Sequence, residues 1–300
     1  IRDRSWLTDL ADRPDVHVRT QDLRDPLPAD MPSADHIVHA AGIASPAVYR
    51  AHPIETMDAN INGLRNLLDH AEARRDSDRP VRNFLFFSSS EIYGDPTPDS
   101  IPTNEEYRGF VSCTGPRACY DESKRYGETL CVNFTRSRGV RTTIARPFNN
   151  YGPGMKITDG RVIADFCRSV VEENDIVMFS DGSPTRTFCY VSDAVTGYYK
   201  VLVRGLDGEP YNIGVSSPEI SMAELAKRVR SEGGASLGYR GSVVLGSSSE
   251  DDYLVDNPNR RCPDIGKAQR DLGYRPRVDL EEGIRRTLLW YAEQREGEER

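Results

Sequence analysis

Two short apolar runs, DHIVHAAG at 35–42 and NFLFFSSS at 83–90, each stop abruptly at small residues. A strand buried on both faces reads as a continuous apolar run, and small residues at its carboxyl end leave room for a ligand to approach the backbone. Between the two, IETMDANINGLRNLLDHAEAR (54–74) carries apolar residues at helical spacing. The segment 118–138 reads as a helix, 140–146 (VRTTIAR) as a strand and 160–173 (GRVIADFCRSVVEE) as another helix. Strand and helix alternating in this way predict an α/β chain with a doubly wound parallel sheet.

After residue 150 the rhythm changes. Loops rich in Gly, Pro, Asp and Ser (151–160, 180–187, 206–218, 245–263) separate shorter elements, as expected of a smaller C-terminal α/β lobe built over the crevice. The division is therefore 1–150 for the sheet domain and 151–300 mainly for the lobe, with 188–205 returning to the sheet. The tail after 291 (AEQREGEER) reads as a fraying helix end.

Composition narrows the function classes. With 37% hydrophobic and 29% charged residues the chain has the balance of a globular protein. No run approaches the roughly 18 apolar residues of a membrane span, and IRDRSWLTDL at the start lacks a signal-peptide core, so the expected compartment is the cytoplasm. The six cysteines form no C-x-x-C and the five histidines no H-x-x-x-H, so neither zinc nor a disulfide framework is expected. A net charge of −8 argues against nucleic acid as a partner, while local arginines remain free to bind a small phosphate ligand.

The stretch GPRACYDESKRYGET (115–129) places Tyr120 and Lys124 one helical turn apart. Side chains at i and i+4 share a helix face with about 5–6 Å between Cβ atoms, so an ammonium there is expected to favour the ionised phenol. By itself the pair is common, and its neighbours decide its meaning. Those neighbours are SSSEIYGDP (88–96), RPFNNYGPGM (146–155), DGRVIADF (159–166), TRTFCYVSD (185–193), YNIG (211–214) and SPAVYRAHPIET (45–56). In order and spacing, from about residue 20 to 290, they resemble the extended short-chain dehydrogenase/reductase family of nucleotide-sugar enzymes, and within it the UDP-glucuronate decarboxylase group.

The resemblance implies a Rossmann-like sheet, tightly held NAD and a UDP-sugar substrate. It implies that Tyr120 takes the proton of the sugar C4 hydroxyl, that Lys124 lowers the tyrosine pKa and bonds the nicotinamide ribose, and that Ser89 hydrogen-bonds the same hydroxyl. Ser90, Glu91 and Arg186 then line the part of the pocket where a C5 carboxylate is lost from the β-keto acid, without a metal. Without the resemblance, Glu91 is equally a capping or salt-bridging carboxylate and Arg186 a solvated loop charge.

Carried over residue by residue, Asp22, at the end of the strand-like HVRTQDL, and Leu23 face the adenine. Ala40, Ala41 and Gly42 let the cofactor approach the backbone, Asn60 steadies the neighbouring loop, and Ser88 and Pro147 complete that side. Tyr49, Asn149, Arg161, Val162, Tyr190, Arg260 and Arg261 are the implied substrate contacts, guanidinium forks suiting phosphate oxygens. The family's 4,6-dehydratases typically show Thr-Asp-Glu where this chain has Ser89-Ser90-Glu91, and a serine is a poor acid for water loss, so decarboxylation is favoured over dehydration.

Two departures bear on the nucleotide and the sugar: DDYLVDNPNRRCPDIGKA (251–268) and GSPTRTFCYV (182–191) differ from the decarboxylase pattern. A 4,6-dehydratase or 4-epimerase on another nucleotide hexose, or a non-catalytic dinucleotide-binding protein, therefore stay open. A glycine-rich turn for the pyrophosphate is expected after the first strand and none stands near residue 1, so a preceding segment of roughly 40 residues is expected. Family members pair two helices, here about 56–75 and 118–138, into a homodimer, and Tyr126, Leu130 and Phe134 are apolar positions compatible with that or, equally, with the core.

Overall fold

The computed structural model describes residues 13–246 and 257–298, with residues 10 and 255. The chain runs β1 (His36–His39), α1 (Pro46–Ala51), α2 (Pro53–Ala73), β2 (Asn83–Phe87), a 3-10 turn at Ser90–Tyr93, α3 (Ala118–Arg138) and β3 (Thr142–Pro147). It continues through β4 (Asn150–Tyr151), α4 (Val162–Val171), β5 (Ile176–Met178), β6 (Thr185–Arg186), β7 (Cys189–Tyr190), α5 (Val191–Arg204) and β8 (Pro210–Ile213). Last come β9 (Ile220–Ser221), α6 (Met222–Leu237), β10 (Val243–Leu245), β11 (Arg260–Arg261), α7 (Gly266–Leu272) and α8 (Leu280–Glu298).

Four strands form one parallel sheet in the order β1-β2-β3-β8, in register through Ile37–Phe84, Phe86–Ile144 and Ile144–Pro210. Alternation along β2 divides the core. Phe84 and Phe86 pack with Leu64 and Leu68 of α2 and Cys131 and Phe134 of α3, while Leu85 packs with Val201, Leu202, Tyr211 and Ile213 on the opposite face. Helix α3 lies tight against the sheet because Gly127 has no side chain: a Cβ there would meet the Phe86 ring at 2.5 Å. Gly139, at φ 68°, ends the same helix in the left-handed conformation.

The return to the sheet is larger than 188–205. Beyond α5, strand β8 is its fourth strand, and Ile265, Ala268, Leu272 and Tyr274 pack beneath it. The remaining C-terminal elements build a second core in which α4, α6 and α8 contribute Phe166, Val170, Leu225, Val229, Ile284 and Leu288. Three small sheets surround it: β5 with β10, β4 with β7, and β6 between β9 and β11.

One local expectation changes, and two become specific. Residues 17–23 add no strand: among the described residues β1 pairs only with β2, and the segment is held instead by Asn66 Nδ2 donating to the carbonyls of Leu23 (2.8 Å) and Asp25 (2.9 Å). The tail after 291 stays helical to Glu298. Phe134 is core, whereas Tyr126 is 49% exposed. Among the described residues no helix is long and apolar enough to cross a membrane.

Candidate active site

The carboxyl ends of β1, β2 and β3 open onto a cleft of about 660 Å3, where a doubly wound sheet admits ligands. Beyond Phe87 the chain turns through Ser88, Ser89 and Ser90 into the 3-10 turn, and Ser89 Oγ accepts the Glu91 N–H at 3.2 Å. Gly94 closes that turn at φ 62°, so close to residue 110 that any Cβ would collide with its carbonyl. Helix α3 begins at Ala118 and presents Tyr120 and Lys124 to the cleft on one face.

Both groups are buried, at 6% and 5% exposure, and burial acts on them in opposite directions. It pushes the Tyr120 phenol up to about 12, against a weaker downward pull from the hydrogen bond with Ser89. It pushes the Lys124 ammonium down to about 8. Lys124 Nζ donates to the Phe87 carbonyl at 2.8 Å and stands 5.7 Å from the Tyr120 ring centroid. The expected lowering of the tyrosine by the lysine does not overcome burial here: desolvation dominates the phenol. The Tyr49 ring stacks on Tyr120 at 5.1 Å with 9° between planes.

Beside the phenol lies a charge cluster. Glu91 Oε2 accepts from Arg117 and, at 2.9 Å, from Arg261. Burial alone would raise the Glu91 carboxyl; the guanidiniums of Arg261, Arg117 and Arg186 overcome it and hold the group down at about 2. Arg261, 1% exposed, also donates to the Ser90 carbonyl. Arg186 donates to neutral acceptors, the carbonyls of Thr185 (2.8 Å), Asn259 (3.1 Å) and Pro258. Burial, reinforced by neighbouring Arg261, lowers the Arg186 guanidinium to about 10. Its positive charge faces the cleft without a carboxylate in ion-pair contact among the described residues.

Of the residues singled out from sequence, Tyr120, Lys124, Ser88, Ser89, Ser90, Glu91, Arg186, Ala40, Gly42, Pro147, Tyr49, Asn149, Arg161 and Val162 line this one cleft. Asn149 holds φ at 41°, unusual for a residue with a side chain, and its Nδ2 donates to the Thr187 carbonyl at 2.9 Å. Others lie elsewhere. Arg261 stands behind Glu91, and Arg260 points the opposite way to pair with Glu219 at 2.7 Å. Tyr190 is packed in the second core, edge-on to Tyr151 at 5.7 Å. Asp22 is an exposed turn residue paired with Arg24 at 2.6 Å, and Leu23 packs against α2 at Gly63. Ala41 is exposed at the end of β1. Residues 251–254 and 256 of the divergent C-terminal segment lie outside the described residues.

The β1 end of the cleft fits a dinucleotide. Gly42 lies in the cleft wall, and a Cβ there would come within 2.3 Å of Asn60 Oδ1, so a side chain at this position would have to displace Asn60 or the backbone at the end of β1. Ser88 Oγ, in a residue of the cleft wall, has no protein partner, and a ribose or amide group would satisfy it; Asn60 Oδ1 also lacks one but belongs to a residue outside the cleft lining, packed against Gly42. Sequence reasoning passed over Arg117, although it stands three residues before Tyr120 in the same block and so on nearly the same helix face.

Residues 5–214 match the NAD dependent epimerase/dehydratase family. The chain belongs to that family. Among its curated relatives, UDP-glucuronic acid decarboxylase 1 of Xenopus tropicalis is 37% identical over 262 residues, 87% of this chain and 58% of the relative. UDP-glucuronic acid decarboxylase 3 of Arabidopsis thaliana is 38% identical over 263 residues, 88% of this chain and 70% of the relative. The chain thus spans little more than half the length of the first. A solved epimerase/dehydratase, the dTDP-glucose 4,6-dehydratase DesIV of Streptomyces venezuelae with NAD bound, superimposes with a TM-score of 0.83 at 26% identity, covering 98% of this chain and 85% of that one.

Proposed function

We propose that the chain is the core of an NAD-dependent decarboxylase of UDP-glucuronate or a close analogue, forming a UDP-pentose. The observation that carries this reading is Arg186, a cleft-facing guanidinium satisfied only by neutral acceptors, a few residues in space from an ionised Glu91 and from Tyr120. That is a fixed positive charge where a sugar carboxylate needs an anchor. The likeness to decarboxylases over 87–88% of the chain supports it.

On this reading Gly42, Ala40, Asn60, Ser88, Lys124 and Pro147 hold the dinucleotide, which when bound supplies the acceptor and later the donor of hydride for C4. Tyr120 would act as the phenolate, a form that burial by the protein alone disfavours and that the positive charge of bound NAD+ would favour; it then receives the proton of the C4 hydroxyl while Ser89 holds the hydroxyl oxygen. The resulting C4 ketone makes the C6 carboxylate part of a β-keto acid. Breaking the C5–C6 bond releases CO2 and leaves its electron pair as an enolate, which takes a proton from water at C5; Tyr120 returns the proton it took from the C4 hydroxyl when C4 is reduced again. Arg186 binds the carboxylate, and Arg161 and Asn149 stand on the side that receives the nucleotide diphosphate. Residues 1–150 with 188–213 and 265–274 make the cofactor half, and the rest of 151–300 the nucleotide-sugar half. Pairing of α2 and α3 across a two-fold axis makes the homodimer.

Incubation of the full-length protein with UDP-glucuronate should release CO2 and give a UDP-pentose. Turnover of a nucleotide hexose to a 4-keto-6-deoxy sugar, with UDP-glucuronate untouched, would replace this reading with that of a dehydratase.

A further inference from the structure

We propose that Arg117 is a positioning residue that ties the Glu91 carboxylate to the Tyr49–Tyr120 ring stack, so that the acid-base group and the fixed negative charge of the cleft keep one mutual orientation. The inference rests on the decarboxylase reading for its kinetic consequence, though not for its structural one.

Arg117 occupies the residue before α3 and is 8% exposed. Its guanidinium meets three different elements. It donates to Glu91 Oε2 on the 3-10 turn that follows β2. It stands 5.9 Å from the centroid of the Tyr49 ring on α1, within cation–π range. It lies 3.9 Å from Asp121 on the first turn of α3 itself. Tyr49 in turn stacks flat on Tyr120. One planar cation therefore touches the carboxylate directly and reaches the phenol through the Tyr49 ring stacked on it.

The other groups facing Glu91 sharpen the role. Arg261 of β11 binds the same oxygen, Oε2, and Arg186 of β6 adds its charge through space. With both guanidiniums on Oε2, Oε1 is the oxygen left for a ligand, on a side chain 22% exposed in the cleft wall. A carboxylate gripped in this way accepts hydrogen bonds and repels negative charge; it does not donate a proton near neutral pH. Lysine would keep the charge at 117 but lose the flat fork that reaches the carboxylate and covers the ring together.

The experiment uses full-length Arg117→Met, Arg117→Lys, Glu91→Gln and the Glu91→Gln/Arg117→Met double variant. In protein labelled with 13C at glutamate Cδ, the Glu91 signal, identified by its loss in Glu91→Gln, is followed through an acid titration. In the parent protein it should stay at the carboxylate position down to about pH 4; in Arg117→Met its midpoint should rise by at least about one pH unit, and in Arg117→Lys by less. With UDP-glucuronate, Arg117→Met should lose about a hundredfold in kcat and gain an acidic limb in the pH profile, with NAD affinity unchanged. The double variant should be no slower than Glu91→Gln alone, because the arginine acts through that carboxylate.

An unmoved Glu91 titration in both Arg117 variants, or losses that multiply in the double variant, would overturn the proposal. Arg117→Lys serves if Arg117→Met does not fold. If the parent releases no CO2, the decarboxylase reading fails, and the carboxyl titration still decides the role of Arg117.

Discussion

The pair Arg146–Glu128 is the strongest structural commitment near the cleft, and its removal should be costly in a characteristic way. Arg146, at the end of β3, donates from Nε and Nη2 to the two oxygens of Glu128 on α3 at 2.8 and 2.6 Å. Its Nη1 donates to the Tyr93 hydroxyl at 2.7 Å and the Glu105 carbonyl at 3.0 Å, and Tyr93 donates onward to Asn212 Oδ1 at 2.8 Å. The two charged side chains are only 8% and 12% exposed. Removing one partner leaves the other charge buried and unpaired, so Glu128→Gln and Arg146→Met should each cost about 3–5 kcal/mol. An apolar double replacement, Arg146→Met/Glu128→Leu, removes both charges. It should cost less than either single change, retaining about 1–3 kcal/mol for the donor lost by the Glu105 carbonyl and the Tyr93 hydroxyl. Urea unfolding followed by circular dichroism, with the slope held constant, measures all three. A double variant as unstable as the sum of the singles would refute the account of a coupled buried pair.

Three further outcomes are expected. Tyr120→Phe should lower kcat by about 10²–10⁴-fold with nucleotide-sugar affinity unchanged by calorimetry, since it removes only the oxygen that moves the proton. Gly42→Ala should weaken NAD binding at least about tenfold, measured by the same method, because its Cβ falls on the Asn60 amide and would displace it or the backbone at the end of β1. Glu91 is held at about 2, below its ordinary 4.5, so its contribution to stability is fully present above about 4.5 and is lost as pH falls towards about 2. Thermal unfolding of the parent and of Glu91→Gln should therefore converge across that window, and a gap that widened there would contradict the ion cluster.

What the sequence made legible, and what it hid, follow the reach of each signal. Apolar runs ending in Ala-Ala-Gly and Ser-Ser-Ser announced parallel strands and their open ends, but only β2 is buried on both faces; β1 leaves His36 and Val38 exposed, which its apolar run did not foretell. Helix α3 was legible to the residue because its period is uninterrupted until Gly139 ends it. Side-chain direction was not. Arg260 and Arg261 are adjacent in β11, and successive strand residues face opposite ways: one turns to Glu219 and the other to Glu91. Tyr190 stands in a motif beside cleft residues yet packs into the second core, since the N-terminus of α5 faces α8 there. The spacing of Tyr120 and Lys124 told of proximity but not that the ammonium would turn to the Phe87 carbonyl.

The charge balance gives the cleft its selectivity. The chain carries a net charge of −8, yet among the described residues its cleft is lined by five arginines and one lysine against two carboxylates. A large polyanion meets the repulsive exterior, while a small one that fits the opening meets the arginines, whose field is felt over about 8 Å at physiological salt. Within that basic wall Glu91 is a deliberate exception, kept ionised by the arginines that grip it. On the decarboxylase reading, Arg186 draws the sugar carboxylate in and Glu91 repels it, and departure of that carboxyl as neutral CO2 relieves the repulsion. An arginine opposite a carboxylate therefore favours both the binding of the anion and the loss of its charge, which neither residue would achieve alone.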